Sequence, residues 1–221
     1  MSKFYNTVMF LMRFGIKQFV QELLYRYNNW YYDRWLNVNT AHMIKKSALG
    51  INKTDSIDYV PIGYRAIYSM LKKIPIDKSH CTFLDYGSGK GRAVVVAAIF
   101  SFKRIIGVEI SDKLVAIAQT NIANMKHRKT IQIEIIQSDA TEFIVSRDVN
   151  IIYFFNPFIR ETLQKVVDNI YFSYKEYPRK IYILFFNDDH FEKIIKNQDW
   201  IKKTYQTRFY PNYSYGLYET V

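Results

Sequence analysis

The residues best suited to chemistry are short acidic and glycine-rich stretches that recur where apolar runs stop. Phe83 to Arg92 read F-L-D-Y-G-S-G-K-G-R: an apolar run ends in Asp85, and Gly87, Gly89 and Gly91 follow at alternate positions. Ala93 to Phe100 then reads as a helix. A backbone that turns sharply and lies against a ligand has no room for a Cβ. A strand, a glycine turn and a helix N-terminus therefore make a binding corner in an open α/β sheet. The run Arg104 to Ile110 carries Glu109 near its end. That is about twenty residues past the glycine turn, where such sheets place a carboxylate for ribose hydroxyls. Ile131 to Ile136 precedes Ser138-Asp139-Ala140, and Asn150 to Phe155 precedes Asn156-Pro157-Phe158. All of these fall at C-terminal ends of predicted strands, the edge at which open α/β sheets bind ligands.

The elements that must position these residues follow from periodicity and punctuation. Ser111 is placed to cap a helix over Asp112 to Met125. Lys180 to Phe186 reads as a fifth strand and Asp189 to Asn197 as a helix. Two β-rich runs, Lys203 to Tyr210 and Tyr215 to Thr220, are split by Pro211-Asn212 and predict a terminal hairpin. The fold class is therefore α/β: a Rossmann-like, mostly parallel sheet of seven strands with helices on both faces and one hairpin strand inserted antiparallel. Upstream, Tyr59-Val60-Pro61-Ile62-Gly63 makes a bend before an amphipathic helix, Tyr64 to Ile74. From Phe4 to Trp35 apolar residues recur at helical spacing among Lys3, Arg13, Lys17 and Arg26, predicting one or two further helices. This divides the chain into a helical extension, residues 1–55, and an α/β domain, residues 56–221.

Composition bounds the partners. The chain has 221 residues, 49% of them apolar, enough for one large core. A single cysteine, Cys81, excludes an internal disulfide and fits a reducing, cytoplasmic setting. The net charge of +11 suits an acidic partner, either nucleic acid or anionic lipid. Aromatic and charged residues mix from Asn28 to Trp35 in a way that can stack bases. The cations are nevertheless spread along the chain, as a coding bias would spread them. The apolar stretch Thr7 to Ile16 is too short to span a bilayer, so contact of the N-terminal helices with a membrane would be peripheral.

The glycine corner does not fit a dinucleotide or a P-loop. The dinucleotide fingerprint wants glycine at its sixth position, where this chain has Arg92, and no G-x-x-x-x-G-K-[ST] is present. The string Asp85-x-Gly87-x-Gly89-x-Gly91 resembles motif I of class I S-adenosylmethionine-dependent methyltransferases. With Tyr59-Val60-Pro61 before it and Phe155-Asn156-Pro157-Phe158 after it, the stretch from Ser56 to Phe158 resembles small bacterial and archaeal relatives of the protein lysine methyltransferases. The resemblance implies S-adenosyl-L-methionine as cofactor. It implies a binding set of Asp85, Gly87, Ser88, Gly89, Gly91 and Arg92 in the loop. Glu109 with Ile110 would serve the ribose, Asp139 with Ala140 the adenine, and Tyr59 and Pro61 would fold over the cofactor. Asn156 and Pro157, with Tyr64, would form the catalytic group, and Asn156 would also contact the cofactor.

Methyl transfer is an in-line displacement, so the protein mainly orients the nucleophile and accepts a proton if there is one. A carbonyl held before proline, together with the Asn156 amide, can accept N–H bonds and aim a nitrogen lone pair. This favours an amine or amide nitrogen, with a protein lysine first. Tyr153, Phe155, Phe158 and Tyr64 are candidates for an aromatic pocket that would favour the neutral amine. O-methylation of a small molecule or sugar is the enzyme alternative, with His190 as base. Metal-dependent enzymes of that kind use acids after the fourth and fifth strands. Asn187-Asp188-Asp189 could serve at the fifth, but Asn156 stands at the fourth, so no metal is expected. A nucleic-acid methyltransferase, and a basic binding module with an idle pocket, complete the alternatives.

Overall fold

The apolar runs become β1 (Thr82–Tyr86), β2 (Arg104–Glu109), β3 (Ile133–Gln137), β4 (Val149–Phe155), β5 (Tyr182–Phe186), β6 (Ile201–Phe209) and β7 (Tyr213–Thr220). The computed structural model of the chain describes residues 2–45, 47, 59–187, 189–209 and 213–221, with side chains from Gly15 onward except Tyr213. The strands form a single sheet in the order β3-β2-β1-β4-β5-β7-β6. Strands β1 to β5 pair in parallel, while β7 lies antiparallel between β5 and β6. The expected fold class is what the chain adopts, including the inserted hairpin strand. The expected break at Pro211-Asn212 and the boundary between residues 55 and 56 lie outside the described residues.

The chain runs outward from β1 through β2 to β3, then returns to lay β4 on the other side of β1. The strand order therefore reverses between β1 and β4, and a crevice opens beyond their C-terminal ends. Both strands are buried on two faces. Phe83, Ile151, Tyr153 and Leu184 join one core with α2 (Tyr64–Lys73) and α3 (Arg92–Ala98). Leu84, Ile152, Phe154 and Phe185 join the opposite core with α5 (Arg160–Glu176) and α6 (Asp189–Ile195). Between β2 and β3, α4 (Asp112–Asn124) starts at the expected cap, where Ser111 Oγ accepts the Leu114 N–H at 3.4 Å.

Two differences from expectation have local causes. The α5 helix was not anticipated. Its core stripe Leu163, Val166, Val167 and Ile170 has helical spacing, but its start carries no side-chain cap, and Arg160 enters at φ 53°. Strand β3 begins at Ile133 rather than Ile131, whose side chain is 86% exposed. The N-terminal stretch agrees with the expected one or two helices: it is α1 (Ser2–Leu36), kinked at Gly15, where φ 78° and ψ 167° leave helical geometry.

The last turns of α1 are seated on the sheet domain. Leu36 is fully buried, its carbonyl accepts the Lys126 N–H at 2.8 Å, and Trp35 stacks on His127. Asn37 donates to the Asn124 carbonyl at the end of α4, and Tyr25 donates to the Pro61 carbonyl.

Candidate active site

At the end of β1 the chain turns through Gly87 and Gly89, both in the left-handed region at φ 69° and 56°. The N–H groups of Gly87 and Ser88 both donate to the Val108 carbonyl of β2, so the loop is tied to the neighbouring strand. A Cβ on Gly87 would lie 2.3 Å from Cβ of Pro157, and one on Gly89 would lie 2.4 Å from the Tyr59 ring. Glycine is thus required twice, by close approach as well as by backbone angle. The same contacts bring Pro157 and Tyr59, far apart in sequence, against the loop.

Around this turn lies a cleft that opens to solvent at its mouth. One wall is the segment Tyr59 to Ile62, and the floor holds Asp85, Gly87, Ser88 and Gly89. Glu109 with Ile110 lines one side and Ser138, Asp139 and Ala140 the next. Asn156, Pro157 and Phe158 line the far end with Phe155 and Thr162.

The electrostatics of the cleft centre on two buried acids. Glu109 is held by backbone: Oε2 accepts the Gly89 N–H at 2.8 Å and Oε1 accepts the Ser111 N–H at 2.9 Å. Burial raises its carboxyl pKa, and these N–H bonds oppose the rise. A carboxylate oxygen has two acceptor positions, so Glu109 keeps capacity for a ligand hydroxyl on each oxygen. Asp85 is 2% exposed, and burial, then the nearby Glu109 charge, push its pKa well above the usual carboxylate range. A cationic ligand group beside it would relieve that penalty. Ser88 Oγ is buried in the cleft wall without a hydrogen-bond partner. Asp139 Oδ1 accepts from the backbone and hydroxyl of Thr141, which fixes the acid after β3.

The structure redistributes part of the expected site. Tyr59, Pro61, Asp85, Gly87, Ser88, Gly89, Arg92, Glu109, Ile110, Asp139, Ala140, Asn156 and Pro157 all line the cleft. Tyr64 does not. It is 1% exposed, its hydroxyl bonds to Asp33 Oδ1 at 2.5 Å and to Thr40 Oγ1 at 2.9 Å, and its ring stacks on Tyr32. Its expected catalytic role is corrected to a buried tie between α2 and the end of α1. Gly91 is likewise not at the cleft. At φ 81° it begins α3, and its Cα faces Ala118 of α4, where a Cβ would come within 3.3 Å. Arg92 touches the cleft but spends its guanidinium elsewhere. It donates to Thr40 Oγ1, Asn29 Oδ1 and the Ile62 carbonyl, at 2.8, 3.0 and 2.6 Å, and lies over the Tyr64 ring. His190 and Asn187 are not among the lining residues, and Asp188 lies outside the described residues.

Sequence reasoning missed Val60, Ile62, Ala93, Val108, Leu114, Ser138 and Thr162 as lining residues. Ser138 had a signal, since it immediately precedes Asp139. Thr162 had none, because it belongs to the uncapped first turn of α5. Among the described residues no group of three His, Cys, Asp or Glu is arranged to hold a metal ion, and no helix is long and apolar enough to cross a membrane.

Comparison with known proteins agrees with this geometry. No curated protein matches the chain in sequence. Among solved structures, an RNA methyltransferase from Salinibacter ruber in complex with S-adenosyl-L-homocysteine is 19% identical. It aligns over 73% of this chain and 94% of its own, with a TM-score of 0.55. A SAM-dependent methyltransferase from Aquifex aeolicus is 14% identical over 70% of this chain and 89% of its own, at 0.53. Magnesium protoporphyrin IX methyltransferase from Synechocystis PCC 6803, with bound SAM, is 15% identical over 71% and 78%, at 0.53. These share the fold. The profile of the methyltransferase domain family matches residues 77–199, more than half of the chain. The chain therefore belongs to the methyltransferase domain family, and its fold is that of the S-adenosylmethionine-dependent methyltransferases it resembles.

Proposed function

We propose that this enzyme methylates a nitrogen nucleophile, an amine of a protein lysine first, in the cleft beyond β1 and β4. The observation that carries the reading is Asn156. It is held at φ 45° beside the glycine loop, against a proline that packs on Gly87, and it lines the cleft. This brings a neutral amide oxygen and a pre-proline carbonyl to the end of the cleft, both acceptors for N–H. The candidate base His190 is not among the cleft's lining residues. Glu109 is occupied with backbone N–H groups, and Asp85 lies buried on the floor beneath the loop. A nitrogen whose lone pair is aimed by Asn156 needs less from a base than a hydroxyl does.

The cleft fits S-adenosylmethionine. Two glycines leave room for close backbone approach, Glu109 offers paired acceptors for ribose hydroxyls, and Ser88 Oγ is an unused donor. Asp85 would sit near a cationic end of the ligand, and Asp139 with Ala140 near the adenine. The cofactor supplies a methyl group already activated on a sulfonium. Tyr59 and Pro61 line the wall of the cleft, and the Tyr59 ring lies over Gly89, where it would cover part of the bound cofactor. Phe155, Phe158 and Tyr153 supply the aromatic surface that favours a neutral amine.

We also place the enzyme in a reducing cytoplasm, since Cys81 is free and buried. We take residues 1–55 as a helical extension and 56–221 as the methyltransferase domain. A nucleic-acid amine is the second reading, favoured by the charge of +11. The test pairs Asn156→Ala with wild type. Calorimetry measures cofactor affinity, and transfer of a labelled methyl group is followed in a lysate split by protease, nuclease and size. Retained affinity with lost transfer, and label removed by protease, is the expected result. Label removed by nuclease selects the second reading. Label confined to small molecules, or full transfer by the variant, overturns the nitrogen assignment to protein.

A further inference from the structure

The α1 helix has two apolar faces, and only one is used. Tyr25, Asn29, Tyr32 and Leu36 lie on the face toward the domain, where they meet Pro61, Arg92, Tyr64 and the end of α4. On the opposite face, at three- and four-residue spacing, lie Val20, Leu23, Leu24, Tyr27, Trp30 and Tyr31. All six are exposed, Leu24 at 55% and Trp30 at 59%. Ile16, one turn earlier on the same face, is exposed at 76%. From Ile16 to Tyr31 this stripe runs about 23 Å at 1.5 Å per residue. A contiguous apolar stripe of this kind on a surface helix marks an interaction site.

Charge selects the occupant. Residues 1–32 contain Lys3, Arg13, Lys17 and Arg26 against Glu22 alone, and Glu22 is paired with Arg26. The whole chain carries +11. A second copy would bring the same positive charge to the stripe, whereas an anionic lipid surface is complementary to it. The residue types agree: Tyr27, Trp30 and Tyr31 have apolar bodies and polar tips, the composition that settles at a bilayer–water boundary. No helix among the described residues can cross a bilayer, so the helix would lie on the surface. We propose that the outward face of α1 docks the enzyme on an anionic membrane surface. This inference rests on α1 alone and stands or falls separately from the nitrogen reading.

The test uses the full chain and vesicles of phosphatidylcholine alone or mixed with phosphatidylserine. Flotation and tryptophan emission report binding, and circular dichroism and cofactor affinity report the fold. The expected result is binding to the mixed vesicles, weakened by added salt, with a blue shift in emission. The double variant Leu23→Glu, Trp30→Glu should lose at least about tenfold in partitioning, because both changes set charge in the buried face, with cofactor affinity unchanged. Absence of wild-type binding to either vesicle, or equal binding by a folded double variant, overturns the proposal. A wild-type dimer in sedimentation equilibrium that the double variant abolishes, without lipid binding, assigns the stripe to a second copy and also overturns it.

Discussion

Glu109→Gln tests the cofactor site with the least change in shape. The carboxylate accepts the Gly89 N–H through one oxygen and the Ser111 N–H through the other. Glutamine retains one carbonyl oxygen, but its amide nitrogen presents hydrogens to the remaining N–H. One charge-assisted bond is lost and one buried donor is orphaned, at about 1–3 kcal/mol. The loss is partly offset, because the neutral side chain no longer bears the burial cost that raises the Glu109 pKa. Urea denaturation without cofactor should therefore show a loss near the lower end of that range. The ligand loses more. A hydroxyl bonded to a charged group is worth about 1.5–3 kcal/mol, so affinity for S-adenosylmethionine should fall by about ten- to a hundredfold. Calorimetry at saturating protein stability checks this directly. A folded variant with wild-type affinity would remove Glu109 from the ribose. A variant with unchanged affinity and unchanged stability would also refute the backbone anchoring on which the argument is built.

Tyr64→Phe should cost about 1–2 kcal/mol in urea denaturation, because its hydroxyl bonds Asp33 and Thr40 out of water. It should leave kcat unchanged; a fall in kcat at wild-type stability would return Tyr64 to the acceptor pocket. Asp85 predicts a pH dependence: its folded pKa lies above its unfolded one, so the folded chain holds the proton when the unfolded chain has lost it. Stability without cofactor then falls as pH rises from about 4, the ordinary carboxylate value, through the folded pKa. Asp85→Asn should flatten that decline in denaturation curves taken across pH, and parallel slopes for the two chains would refute it.

Much of the fold was legible because the strands and turns state it locally. β1, β2, β4 and β5 are short apolar runs that end in Asp, Glu, Asn and Asn, and their order alone implies a crevice at one sheet edge. The hairpin was legible from two β-rich runs at the end of the chain. Helix α5 was not, since its start lacks a capping side chain and its stripe follows a stretch already read as a turn. In the site, the residues that contact the cleft through backbone or through strand-end acids were found. Tyr64 was misplaced, and the ties of Arg92 went unseen, because their partners, Asp33, Thr40 and Asn29, come from the end of α1 and the segment after it. No local signal announces a pairing over that distance.

That misreading points to how the loop works. Gly87 and Gly89 face the cleft, while the Lys90 and Arg92 side chains reach the N-terminal segment. Lys90 Nζ donates to the Ala41 and His42 carbonyls, Arg92 to Thr40 and Ile62, and Asn121 bridges the Asn39 and Lys90 carbonyls. Tyr59 lies across Gly89 and donates to the Thr40 carbonyl. The wall that covers the cleft is therefore fastened through the same short peptide that shapes its floor. Asp33 in turn accepts from the Thr40 hydroxyl and the Ala41 N–H, which ties residues 40 and 41 to the end of α1. Tying the cover to the floor in this way fixes one wall of the sheet-edge cleft over the glycine turn. It also accounts for Arg92 at the position where a dinucleotide-binding loop has glycine: the side chain is needed to reach Thr40.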